Sequence, residues 1–343
     1  MEKIRLGRTN LRVSRSGFGA IPIQRISFSD SDRLLKKAYA EGINFFDTAR
    51  GYTNSEEKIG QALGAVRKEI IIATKTPSED RGSVMRDLET SLKNLRTDYL
   101  DIYQLHNPQS LPDPNDPNSS YGALSEAKKK GMIRFIGLTN HRLEVALKAA
   151  RSGLYDTIQF PLSSLSSEDD LQIIEVCKQY DLGLIAMKAL SGGLITNAAS
   201  AFAFLRQYDN VVPIWGMEKE VQLDQFVAME KNPPPLDDSM MKMIAHDRNE
   251  LSGTFCRACG YCMPCPAGIP IPTAARMSLL LRRMPYQQFI TEEWKNQMQL
   301  IEKCRNCGQC QKHCPYQLNT PQILREMLKD YHQFYENHHG EIC

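Results

Sequence analysis

"INFFDTARGYTNSEEKIGQALGAVRKEIIIATK", residues 43–75, decides the fold. It opens on an apolar run, INFFDTA (43–49), passes through NSEEKIGQALGAV (54–66), and closes on a second run, IIIATK (70–75). Runs that are apolar almost throughout, rather than on alternate residues, suit strands covered on both faces of a parallel sheet. The stretch between them has a polar start and apolar residues at helical spacing, so it reads as the crossover helix.

Working outward, the alternation repeats. SGFGAIPI (16–23) lies upstream; DIYQLH (101–106), FIGLTN (135–140), DTIQF (156–160), LGLIAMKA (182–189) and VVPIWGM (211–217) lie downstream. Between them SDSDRLLKKAYAEG (29–42), GSVMRDLETSLKNL (82–95), SEAKKKG (125–131), RLEVALKAARSG (142–153) and EDDLQIIEVCKQYDLG (168–183) read as helices. The first of these has Ser and Asp before its periodic part and Gly42 after it, which supplies both caps. Eight strand–helix units in about 230 residues is the size of a (β/α)8 barrel. A doubly wound open sheet is the rival, but no Gly-x-Gly-x-x-Gly follows the first strand. The expected fold is an α/β TIM barrel over residues 1–235, ended by the stiff KNPPPLDD (231–238), with a second domain over 236–343.

The chain of 343 residues carries 42 basic and 40 acidic side chains, too even a balance to attract nucleic acid. No apolar stretch approaches the roughly 18 residues of a membrane span. The start, MEKIRLGRTN, is charged and lacks the apolar core of a signal peptide, so a cytoplasmic location is expected.

The second domain is defined by cysteine. Of ten cysteines, eight fall in CRACGYCMPCP (256–266) and CRNCGQCQKHCP (304–315). Two-residue spacing wraps thiolates around a metal centre, whereas disulfides staple distant loops. The second run has the C-x2-C-x2-C-x3-C-P spacing of a [4Fe–4S] site. Zinc sites seldom use four tandem cysteines followed by proline. IPTAARMSLLLRRM (271–284) and YQQFITEEWKNQMQLIEKC (286–304) place Phe289, Ile290, Trp294, Met298 and Ile301 at helical spacing, so this domain is expected to be small and all-α. Arg257, Lys303, Arg305 and Lys312 crowd the cysteines, either to neutralise anionic clusters or to form a docking face for an acidic partner. Cys177 reads as a buried core thiol, Cys343 as an unpaired end, and His332, His338 and His339 either as a weak metal-binding hint or as a disordered tail.

In such barrels chemistry sits at the C-terminal strand ends. Those ends offer Asp47, Lys75 and His106, with Tyr52 five residues beyond Asp47. Each alone is unremarkable; four such groups on one rim point to catalysis. GINFFDTARGYTNSEEKIGQAL, IIIATK, DIYQLHNP, GLTN and LGLIAMKAL, in that order over residues 1–230, resemble the aldo-keto reductase family. The resemblance implies hydride transfer between a nicotinamide and a carbonyl or alcohol, with Asp47, Tyr52, Lys75 and His106 as the catalytic group. Tyr52 would donate the proton to the developing alkoxide, with Lys75 lowering the phenol's pKa, Asp47 aiming Lys75, and His106 orienting the carbonyl. It maps Thr139, Asn140 and Gln159 to the carboxamide end of the cofactor and Met187 to the position that stacks on the nicotinamide. After the last strand, Lys219 stands between Glu218 and Glu220, and Glu220 would accept a ribose hydroxyl; NAD and NADP both stay open. Arg50 reads either as a contact for an anionic substrate or as a solvated loop residue.

The tail resembles the helical two-cluster ferredoxin domains fused to redox enzymes, and the whole chain an iron–sulfur branch of the aldo-keto reductases. In two-cluster ferredoxins the fourth cysteine of a run crosses to the other cluster. That assigns Cys256, Cys259, Cys262 and Cys314 to one cluster and Cys304, Cys307, Cys310 and Cys265 to the other. The expected protein is an oxidoreductase coupling carbonyl–alcohol chemistry to two [4Fe–4S] clusters, with a ferredoxin or flavodoxin as a candidate acidic electron carrier. The alternative is a non-enzymatic electron-transfer or redox-sensing protein that uses the barrel as scaffold.

Overall fold

The computed structural model describes residues 1–251 and 255–338. Cys343 and His339 lie outside the described residues. The chain divides into two compact units, Met1–Ala189 with Ala199–Ile244, and Leu190–Ala198 with the chain from Ala245 onward.

In the first unit a two-stranded hairpin, β1 (Lys3–Arg5) and β2 (Arg12–Ser14), precedes the barrel strands. These are β3 (Gly17–Gly19), β4 (Phe45–Asp47), β5 (Ile71–Thr76), β6 (Leu100–His106), β7 (Ile133–Thr139), β8 (Thr157–Pro161), β9 (Gly183–Met187) and β10 (Val211–Gly216). They close in the order β10-β3-β4-β5-β6-β7-β8-β9, every neighbouring pair parallel. All eight coincide with the apolar runs of the sequence. The helices are α1 (Phe28–Ala40), α2 (Ser55–Leu63), α3 (Arg81–Asn94), α4 (Ser120–Lys129), α5 (Leu143–Arg151), α6 (Glu168–Gln179), α7 (Ala198–Arg206) and α8 (Glu220–Lys231). Ser27, Asp80, Ser119 and Ser167 cap α1, α3, α4 and α6 through side-chain oxygens, satisfying amides that a helix start leaves unpaired.

Two elements depart from the sequence reading. Helix α4 begins at Ser120, not at Ser125, because Ser119 accepts from Gly122 N at 3.0 Å and Ala123 and Leu124 are buried. The hairpin was not foreseen from the charged start. Its Leu6, Leu11 and Val13 pack on Phe45, Ile71, Ile102 and Ile185, so the chain's first residues supply part of the barrel core.

The second unit contains α10 (Ile271–Ala274), α11 (Met277–Arg283), α12 (Glu292–Gln299), α13 (Gln309–Lys312) and α14 (Thr320–His338), preceded by α9 (Asp238–Glu250), which spans the unit boundary. Helix α14 packs against α10, α11, α12 and α13. Leu281, Met298, Ile301, Leu324 and Tyr331 are buried, and the Tyr331 hydroxyl donates to Phe289 O at 2.8 Å. Pro285 interrupts the helical period, so Phe289 and Ile290 are buried between helices rather than along one.

Candidate active site and cysteine cradle

Strand register brings the polar strand ends together. Lys75 pairs across from Gln104, His106 from Thr139, and Thr139 from Gln159. Lys75 Nζ donates to Asp47 Oδ1 and to Thr48 O, both at 2.6 Å, and Lys75 and Asp47 are buried. The same ammonium stands 5.4 Å from the centre of the Tyr52 ring. The Tyr52 and His106 rings meet edge to face, with centroids 5.9 Å apart. The four expected residues therefore form one contiguous cluster, although Tyr52 comes from a loop and the others from three strands.

Electrostatics follow from burial. Burial raises the Asp47 carboxyl and lowers the Lys75 ammonium towards their neutral forms, while their mutual attraction opposes both shifts. Burial, and then the Asp47 charge, push the Tyr52 phenol well above its ordinary value. This differs from the sequence expectation that Lys75 lowers it. Lys75 directs its short hydrogen bonds to Asp47 and Thr48 O and faces the phenol ring, so desolvation prevails at Tyr52. Burial, and then Lys75, lower His106 to about 3, so its imidazole is neutral near neutrality.

Two residues escaped the sequence reading. Gln104 Nε2 donates to Asp47 Oδ2 at 3.3 Å and to Gln159 Oε1 at 2.9 Å, while Gln159 Nε2 reaches Asp47 Oδ1 at 3.3 Å. Gln104 lies two residues before His106, so strand periodicity puts both on one face. His141 is buried, its backbone amide donates to Asn107 Oδ1 at 3.1 Å, and burial pushes its pKa well below normal.

The expected cofactor residues divide. Thr139 Oγ1 lies 3.8 Å from Met187 Sδ, so these two sit side by side. Gln159 supports Asp47, and Asn140 donates to Pro108 O at 2.8 Å while accepting from Arg142 N at 2.8 Å. Glu220 faces Lys37 at 3.3 Å and Arg33 at 3.8 Å, and Lys219 is exposed just ahead of α8. Arg50 pairs with buried Glu56. The Arg50 side chain stays 24% exposed beside that pair, so it is neither fully solvated nor withdrawn from the rim.

In the second unit, Cys262, Cys265, Cys304, Cys307 and Cys310 line one cavity. Burial pushes the Cys262 thiol up to about 12, with Cys256, Cys259 and Cys310 adding to the shift. The two runs share two left-handed positions. Ala258 and Gly260 take left-handed φ of 50° and 85°, and Asn306 and Gly308 take 50° and 72°. Such alternation turns successive amides inward into an anion-binding nest, and Ala258 N donates to Cys256 Sγ at 3.4 Å. A soft thiolate set in such a nest fits iron–sulfur clusters.

A closed parallel barrel with this rim, followed by a helical cysteine cradle, defines a two-part redox protein. Residues 15–201 match the aldo/keto reductase family model, and the chain belongs to that family. Residues 255–319 match a 4Fe-4S dicluster domain. The L-galactose dehydrogenase of Arabidopsis thaliana is 30% identical over 210 residues, covering 56% of this chain and 66% of that protein. The NADH-specific methylglyoxal reductase of Escherichia coli is 31% identical over 227 residues, covering 57% and 69%. The chain thus spans about two thirds of these relatives' length. A solved aldo-keto reductase of Bacillus halodurans, 22% identical, shares the fold with a TM-score of 0.62 over 72% of this chain and 96% of that one. No described helix is long and apolar enough to cross a membrane.

Proposed function

We propose that the protein is a cytoplasmic, NAD(P)-dependent oxidoreductase acting on a small carbonyl or alcohol, with two [4Fe–4S] clusters carrying single electrons. The observation that carries the reading is the buried Lys75–Asp47 pair at 2.6 Å beneath the Tyr52 ring, with His106 against that ring. A bound nicotinamide supplies or accepts hydride; Met187 and Thr139 would hold its ring, and the remaining work falls to this chain.

Hydride arriving at a carbonyl carbon places negative charge on oxygen, which must be met by donors already in place. Tyr52 is a neutral phenol and holds the proton to be delivered. His106, neutral, offers a ring N–H that fixes the carbonyl oxygen without competing as an acid. Lys75, held by Asp47 and Thr48 O, fixes the floor beneath the Tyr52 ring. Gln104 and Gln159 hold Asp47 in place. In the second unit the clusters would be held by Cys256, Cys259, Cys262 and Cys314, and by Cys304, Cys307, Cys310 and Cys265. An acidic ferredoxin or flavodoxin is the proposed electron carrier.

The test is nicotinamide oxidation by a panel of aldehydes under anaerobic conditions, with NADH and NADPH binding measured alongside. Turnover with at least one aldehyde is expected. If neither nicotinamide binds and no aldehyde is reduced, the barrel is a scaffold and the redox-sensing alternative replaces this reading.

A further inference from the structure

The cysteine unit is a repeat, and its two halves differ in one buried charge. Three residues after the fourth cysteine of each run, the chain again turns left-handed, at Gly268 (φ 73°) and Gln317 (φ 53°). A buried apolar residue follows, Ile269 or Leu318, and two residues later a helix starts with proline at its second position. Five residues beyond each helix start stands an arginine, Arg276 in one half and Arg325 in the other.

Both arginines turn towards the cysteine loop of their own half. Arg325 Nη1 donates to Asn306 Oδ1 at 3.3 Å, and Arg325 is exposed. Arg276 is 8% exposed, with Nη1 donating to Gly192 O at 2.8 Å and Nε to Pro272 O at 3.0 Å. A Cβ built on Gly192 would lie 3.1 Å from Arg276 Nη1 and 3.8 Å from both Ala258 Cβ and Arg257 O. Gly192 thereby lies between the guanidinium and the first cysteine loop; burial lowers Arg276 from its ordinary value, and Cys256 opposes that shift.

Among the described residues no carboxylate pairs with Arg276. Its partners are neutral carbonyls, yet a buried cation needs an anion to offset desolvation. We propose that the anion is the cluster ligated by Cys256, and that Arg276 raises that cluster's reduction potential while Arg325 does so only weakly for the other. This rests on the reading that both runs carry clusters. A thiolate-ligated cluster is anionic and gains one further negative charge on taking up an electron. A fixed cation therefore favours the reduced form. Water screens Arg325 but not Arg276.

The test uses the full chain with clusters reconstituted anaerobically, iron and sulfide quantified, and dithionite titration followed by electron paramagnetic resonance. Cys259→Ser and Cys307→Ser identify which signal belongs to which run. In Arg276→Gln the first-run cluster should be harder to reduce by about tenfold in its oxidised-to-reduced ratio, about 59 mV for one electron, with the other unmoved. Arg276→Lys should keep most of the potential, and Arg325→Gln should shift its own cluster by less than half as much. If Arg276→Gln fails to assemble, Gly192→Ala displaces the guanidinium and should lower the same potential. Unchanged potentials in the iron-replete variants, equal shifts of both clusters, or an Arg325 effect as large as that of Arg276 would overturn the inference. A wild-type chain that takes up no iron and sulfide would overturn the cluster reading itself and this inference with it.

Discussion

Replacing Lys75 by methionine keeps the volume and removes the charge, leaving Asp47 as a buried carboxylate. Its remaining side-chain donors are the Gln104 and Gln159 amides, each at 3.3 Å, against 2.6 Å for the lost ammonium. Orphaning one member of a buried pair costs about 3–5 kcal/mol. Asp47 can limit the loss by taking up a proton, since burial already raises its carboxyl. In the variant its folded pKa then lies above the unfolded value, so stability is fully present below about pH 4 and falls as pH rises through the folded pKa. Lys75→Met should therefore cost about 3 kcal/mol at pH 7 and less at pH 5. The double variant Asp47→Asn, Lys75→Met should recover most of it, because no buried charge remains. Urea unfolding in a Trp294→Phe background reads the barrel alone, as Trp215 is then the sole tryptophan and is buried against Phe226. A loss under about 1 kcal/mol with no pH slope, or a double variant no better than the single, would refute the reasoning.

Tyr52→Phe should lower carbonyl reduction by about 10²–10⁴-fold while iron and sulfide content stay at the wild-type level; near-normal turnover would mean that another group donates the proton. Because Tyr52 is held well above its usual value and His106 at about 3, neither changes charge between about pH 5 and pH 9. The kcat/KM for carbonyl reduction should be level across that window, and a limb near pH 7 that survives in other barrel-rim variants would contradict the assignment. Cys265→Ser should perturb the same cluster signal as Cys307→Ser, and not that perturbed by Cys259→Ser.

The eight barrel strands were legible because strands buried on both faces announce themselves as continuous apolar runs. The hairpin was not: β1 is Lys3–Ile4–Arg5, whose charges conceal that the adjoining Leu6 and Leu11 enter the core. Asp47, Lys75 and His106 could be found because each lies at or within one residue of a strand's C-terminal end. Gln104 was missed because it lies inside one, where its role depends on the neighbouring strands' register. Asn140 and Glu220 take partners no motif announces: Asn140 donates to Pro108 O and Glu220 pairs with Lys37, both set by loops and helices distant in sequence. The direction of the Tyr52 shift was misread for a related reason. A sequence shows that a lysine is near, but not that its donors are directed elsewhere and that the phenol is desolvated.

The one-residue difference between the runs bears on how the clusters share ligands. In both runs the first three cysteines lie at identical spacing around identical left-handed positions, Ala258 and Gly260 or Asn306 and Gly308. In both, the fourth cysteine opens a turn closed by a bond from the left-handed residue, Gly268 N to Cys265 O at 2.9 Å or Gln317 N to Cys314 O at 3.2 Å. Each half is therefore two conserved-geometry pieces joined by a spacer, and the deletion falls wholly within the spacer, Met263–Pro264 against Gln311–Lys312–His313. Were both pieces to serve one cluster, shortening the spacer would draw the fourth thiolate away from a position set by the other three. If they serve different clusters, the spacer only spans the gap between them, and its length is free to differ. Cys262, Cys265, Cys304, Cys307 and Cys310 line one cavity, so the fourth cysteine of the first run stands beside the first three of the second, as the proposed crossed arrangement requires. Cys262 borders the same cavity, as expected if the two clusters are neighbours with the short spacer running between them.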